Sequence, residues 1–325
     1  RNRIINGAMM IDQRNAGASI TPSADSTYCL DRWVCRLGTA SKYSVQQNAG
    51  SVTPPAGFTN YLGITSTSSY SSSSGDYFAL AQYIEGLNCA DLGWGTADAK
   101  TLTLSFWVRS SLTGTFGGVF KNSGYNRSYP FSYTISSANT WEQKTITVAG
   151  DTTGTWLTTN GIGCIVGFNI GCGSTYLGTA STWAASNYWG ATGSTAITGT
   201  NGATFYITGV QLEVGSSASS FEVRDYGREL MLCQRYFQST STNGIDILST
   251  SPSGGTWQNF AVPLTTVMRT NPTATVTFGS ANNTNISTNQ AWSNNPNWFT
   301  WGLQTNSSGF YRIQNSTPYQ LSAEL

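Results

Sequence analysis

A chain of 325 residues with 39% hydrophobic and 13% aromatic residues is long enough for two cores and too rich in rings to be disordered. Only 10% of residues are charged and the formal net charge is +1, so Ser, Thr, Asn and Gly must supply the polar surface. No basic run or stripe offers a nucleic acid or an anionic membrane a partner, and no apolar run is long enough to cross a bilayer.

Taken in order, the opening RNRIINGAMMIDQRNAG reads as a first strand, with Ile4 and Ile5 before the turn-tolerant pair Asn6-Gly7. Residues 28–35 alternate with apolar side chains on both parities and leave the buried face undecided. Between Ala49 and Asp76 the Gly, Ser, Thr and Pro content predicts mostly exposed loop. Strands follow over Tyr77 to Glu85 and Thr101 to Arg109. In the first, Phe78, Leu80 and Ile84 share a face; in the second, Leu102, Leu104, Phe106 and Val108 do. Trp141 to Val148 is another strand. From Gly161 to Gly173, Ile162, Cys164, Val166, Phe168, Ile170 and Cys172 fall on one side. Gly163, Gly167 and Gly171 leave the other side bare, open to another backbone, a ligand or a bulge. A long loop, Ser174 to Asn201, carries Tyr176, Trp183, Tyr188 and Trp189. The strand Ala203 to Glu213 changes parity between Ile207 and Val210, which predicts a bulge near Thr208-Gly209.

The period then changes from two to between three and four. Asp225 is placed to cap a short helix, Glu229 lies in its first turn, and Tyr226, Leu230, Cys233 and Phe237 form a stripe expected to pack at a seam between domains. Beyond it, Trp257 to Arg269, Thr273 to Phe278, Trp298 to Leu303, Phe310 to Gln314 and Gln320 to Leu325 read as strands, with Ser280 to Asn297 an Asn-rich loop. No helix alternates with these strands, so the fold class is all-β.

Histidine is absent, which removes the commonest general base, the commonest metal ligand and every imidazole triad. The carboxylates, Asp151 and Glu142 among them, sit in ordinary strands and turns and define no glycosidase pair. No GxSxG elbow is present. No catalytic residue, cofactor or metal ligand is expected, and the chain is read as a non-enzyme. The six cysteines lack CxxC spacing and are expected to be mostly reduced, Cys164 and Cys172 within the core. Aromatic rings among neutral polar residues suit sugars, whose C–H faces stack on indole and phenol. Trp183, Tyr188 and Trp189 in the first half, and Trp292, Trp298 and Trp301 in the second, are the candidate glycan or receptor contacts. Core or subunit packing is the alternative use of the same rings.

Several blocks resemble the fibre-like virion proteins of tailed bacteriophages: NRIINGAMMIDQR, LDRW, LTLSFWVRSS, TWEQKTITVAGDTTGTW, ATFYITGVQLEVG and RELMLCQRYFQ. FAVPLTTVMRTNPTATVTF and the ending YQLSAEL extend the resemblance into the C-terminal part. The first half is also similar to jelly-roll carbohydrate-binding modules, with FYITGVQLE as their closing acidic strand. Thr208 and Gly209 stand where that family often has carboxylates, so no calcium ligand carries over. The resemblance implies a virion protein exposed on the particle surface and assembled in the host cytoplasm. Its partners would be other virion proteins, two further copies in a homotrimer, and a host-surface glycan; a passive head or neck decoration without receptor binding is the alternative. The expected organisation is a jelly-roll sandwich over 1–215, a linker and helix over 216–238, and a smaller β-sandwich over 239–325.

Overall fold

The computed structural model describes residues 2–239, 246–276, 284–314 and 319–325. The chain forms two compact units, Arg1–Tyr226 with Leu325, and Gly227–Glu324. The first is an antiparallel sandwich of jelly-roll type. Its strands are β1 (Thr27–Leu30), β2 (Trp33–Leu37), β3 (Tyr43–Gln47), β4 (Leu62–Ser66), β5 (Phe78–Glu85), β6 (Leu102–Ser110) and β7 (Gly114–Lys121). There follow β8 (Ser128–Ile135), β9 (Glu142–Val148), β10 (Ile162–Asn169), the short β11 (Leu177–Gly178) and β12 (Gly190–Ala191), and β13 (Thr204–Val214). A six-stranded sheet, β1-β2-β5-β10-β7-β8, faces a five-stranded one, β3-β4-β13-β6-β9. The core between them takes Leu102, Leu104, Phe106 and Val108 from β6, as the alternation predicts, and Cys164, Val166 and Phe168 from β10.

Three local expectations change. The opening residues form no strand, yet they are locked in place: Arg3 N–H donates to Leu212 at 2.9 Å, and the buried Asn6 side chain donates to the carbonyls of Ile11 and Asp31. Side-chain hydrogen bonds there do the work of a ladder. Part of the presumed 49–76 loop is the strand β4, whose Leu62 and Ile64 are core residues. And β5 is buried on both faces: Phe78, Leu80 and Ile84 look into the sandwich, while Ala79, Ala81 and Tyr83 belong to a second, smaller core outside it.

That second core explains the bare glycine face. The 174–201 segment straps across the outer side of the six-stranded sheet and seats Trp189 on Gly167, where an added Cβ would stand 3.3 Å from the indole. Gly163 is likewise filled by the backbone of Gly86. The bulge in β13 falls where the parity change places it, between Thr208 and Gln211 in its pairing with β6. Gly209 has φ +61 there, beneath the Phe58 ring, and Val210 N–H donates to Gly7 at 2.9 Å.

The second unit opens with α1 (Tyr226–Gln234), followed by β14 (Phe237–Ser239), β15 (Asp246–Ser251), β16 (Trp257–Pro263), β17 (Thr273–Val276), β18 (Ile286–Asn295), β19 (Trp298–Thr305), β20 (Gly309–Gln314) and β21 (Tyr319–Ser322). Three small antiparallel sheets, β14-β21-β17, β15-β20 and β16-β19-β18, surround a core of Met268, Phe299, Trp301, Leu303, Tyr311 and Leu321. Strand β16 stops at Pro263, which cannot donate to a ladder. Within the Asn-rich stretch read as loop, Ile286–Asn295 is instead β18, while 280–283 lie outside the described residues. The expected helical stripe is also revised. Tyr226 is exposed, Leu230 is half-buried, Cys233 is buried, and Phe237 lies in β14 because pairing with β21 takes the chain there.

Candidate functional site

Strand parity in the sheet β16-β19-β18 separates two sets of side chains. Gln258, Phe260 and Val262 of β16 lie opposite Leu303, Trp301 and Phe299 of β19, and this side joins the core. The other side carries Trp257, Asn259 and Ala261 on β16, Trp298, Thr300, Gly302 and Gln304 on β19, and Thr288, Gln290 and Trp292 on β18. Trp257 and Trp298 are 41% and 43% exposed, high for residues of their size within a paired sheet. No ionisable side chain stands on this face among these residues.

Trp292 is the fixed ring of the face. An added Cβ on Gly302 would stand 2.5 Å from its Cη2 and 2.8 Å from Asn259 Oδ1, so the missing side chain is what lets the indole lie across the central strand. Trp257 meets that indole nearly at right angles, 77°, with centroids 6.4 Å apart. Beyond Trp292, β18 bulges before pairing again at Asn295 with Trp298, where a bulge re-aims its neighbours. The arrangement is an uncharged sheet surface of indole rings interleaved with amides and the hydroxyls of Thr288 and Thr300. It has stacking faces for apolar C–H groups and hydrogen-bonding groups for hydroxyls.

The candidate tryptophans of the second half are thus partly brought together. Trp292 and Trp298 share the face, whereas Trp301 is 0% exposed and belongs to the core, which removes it from any contact surface. Three residues along a strand reverse the face, so Trp298 and Trp301 could never have pointed the same way. Trp257 takes its place, and its alternation with Asn259 was the available signal.

The first-half candidates behave differently. Trp189 is only 2% exposed, stacks on Tyr77 at 6.4 Å and lies 3.9 Å beneath Lys121 Nζ, so it too is withdrawn as a contact. Burial, with Arg36 nearby, pushes the Lys121 amine down to about 6. Tyr188 is half-buried with its ring over Gly178. Trp183 is half-buried, donates its indole N–H to Ala149 at 2.8 Å, and clusters edge-on with Trp94 at 5.4 Å and Trp156 at 5.5 Å. The other two indole N–H groups of this cluster also bond the chain's own carbonyls, at Lys100 and Thr153. Beside it, Arg127 holds Asp151 through two 2.7 Å bonds. Burial would raise the Asp151 carboxyl, but Arg127 and Thr153 bring it below its ordinary value.

The cysteines form no disulfide among the described residues, and all six are buried. No group of three or more metal-binding side chains occurs among the described residues.

No protein-family model and no curated protein matches this chain. Among solved structures it is similar to the enzymatically active domain of tailspike protein 4 of Bacteriophage CBA120, with TM-score 0.35 and 13% identity over 66% of this chain and 21% of that one. It is also similar to a CBM4 structure, with TM-score 0.32 and 15% identity over 65% of this chain and 98% of the other. The family 11 carbohydrate-binding module of a Clostridium thermocellum cellulosomal cellulase gives TM-score 0.29 and 14% identity, over 62% and 98%. At about a fifth of its length, this chain spans a small part of the tailspike chain.

Proposed function

We propose that this is a non-enzymatic structural protein of a tailed-phage virion, a fibre, spike or surface decoration, whose smaller unit binds a neutral host-surface glycan. The observation that carries the glycan reading is the uncharged face with Trp257, Trp292 and Trp298 set among Asn259, Gln290, Thr300 and Gln304. Indoles stack on the C–H faces of sugars, amides bond their hydroxyls, and a face without ionisable groups favours neutral over acidic saccharides. Support for the virion setting comes from the ordered sequence blocks that resemble phage fibre-like proteins. A homotrimer fits that setting, since homo-oligomers close by rotational symmetry.

The test is a glycan array probed with the full chain and with a Trp292→Ala/Trp298→Ala variant. Retention of neutral glycans by the parent alone, insensitive to salt, is expected, because no charge pair is involved. Light scattering of both proteins should give the same mass. A drop in mass for the variant would mean that the face packs a second copy, which overturns the glycan reading. Antibody labelling of intact particles would then place the protein on head, neck or tail.

A further inference from the structure

We infer that the face takes an unbranched neutral oligosaccharide laid along β19, and that a mono- or disaccharide fills only part of it; this rests on the glycan reading above. The ring of Trp292 is pinned over Gly302, and Trp298 stands on the same face of the same strand four residues away. At the rise of a β-strand the two stations are about 13 Å apart. One pyranose ring covers one indole and cannot reach the next. Thr300 lies midway on β19, and Asn259 flanks Gly302, so hydrogen-bonding groups line the path between the two stacking stations. Trp257 buttresses the Trp292 end only. A chain long enough to touch both stations gains the second contact as an intramolecular event, whereas two short sugars must each bind independently.

Tryptophan-fluorescence titration of the full chain with cellohexaose, laminarihexaose, maltohexaose and mannohexaose, each against its own disaccharide, tests this. At least one hexaose is expected to bind about tenfold or more tighter than its disaccharide, a difference of about 1.4 kcal/mol. Trp298→Ala should weaken that hexaose about tenfold or more and the disaccharide distinctly less, and Trp298→Tyr, which keeps a ring, should restore most of the difference. Equal binding of hexaose and disaccharide, or an equal loss for both in Trp298→Ala, overturns the inference while leaving glycan binding intact. Failure of every sugar to bind overturns the glycan reading together with it. An unchanged melting temperature in both Trp298 variants confirms that the titrations report on folded protein.

Discussion

The tryptophans of the two units do opposite things. In the sandwich, Trp94, Trp156 and Trp183 each give their indole N–H to a backbone carbonyl and pack on one another, and Trp189, carried by the strap, is sealed against the sheet. In the smaller unit, Trp257 and Trp298 stand on a paired sheet with large parts of their rings in solvent, while Trp301 alone fills the core. A ring whose polar edge is already satisfied inside the protein has its amphipathic character used up locally. A ring left partly in solvent on a paired strand has not. The number of aromatics in a segment therefore says little about recognition, and their parity on a strand says much more.

The sharpest way to break this contrast is to truncate one ring of each kind. Trp189→Ala should destabilise the sandwich by about 3–5 kcal/mol, because it empties the space between Gly167 and Lys121. Denaturant unfolding followed by circular dichroism would measure it, and a loss under about 1 kcal/mol would show that the strap is not a core element. Next in size is the ion pair beside the three-indole cluster. Asp151→Ala leaves Arg127 without its two 2.7 Å bonds and should cost about 3 kcal/mol.

The same pair makes the sandwich acid-sensitive. Burial would raise both Asp151 and Asp76, but Arg127 and Thr153 at the one, and Thr39, Tyr70 and Ser73 at the other, bring them below the ordinary 3.8. The stability they give is complete above that value and is lost as pH falls through the lowered folded values. An acid titration should accordingly show Asp151→Asn converging on the parent at low pH and diverging from it near neutrality. A constant gap between the two across the whole range would contradict this assignment.

Smaller effects are expected on the open face. Gly302→Ala must displace the Trp292 ring or Asn259, at a cost of about 1–3 kcal/mol and with weakened glycan binding. Trp298→Ala should change stability by about 0.5 kcal/mol or less, as at other surface positions. Differential scanning calorimetry orders the two. If Trp298→Ala proves as costly as Trp189→Ala, the ring is covered in solution and the contrast between the units fails.

Much of the fold was legible because it is written in the period of two. The inward face of β6, the inward Cys164, Val166 and Phe168 of β10 and the bulge after Thr208 follow from alternation and from one change of parity, whereas Ile162 and Cys172, expected on that same side, join the outer core. The all-β class followed from the same pattern. Composition misleads at β4, where Leu62 and Ile64 of a Ser- and Thr-rich segment pair with β13 and enter the core, and at the Asn-rich β18, which pairs with β19.

What lies outside a sheet is decided by segments far away in sequence. The bare side of β10 is closed by its own chain at Trp189 and Gly86, and no local pattern carries that information. For the platform, parity along β19 was enough to separate Trp298 from Trp301, yet composition alone grouped the two as contacts and passed over Trp257. Only the pairing of β16, β19 and β18 set Trp257, Trp292 and Trp298 on one surface. Alternation fixes which side chains share a face of a strand, because successive residues point in opposite directions; which strands are neighbours, and which face another segment covers, depends on long-range pairing and packing.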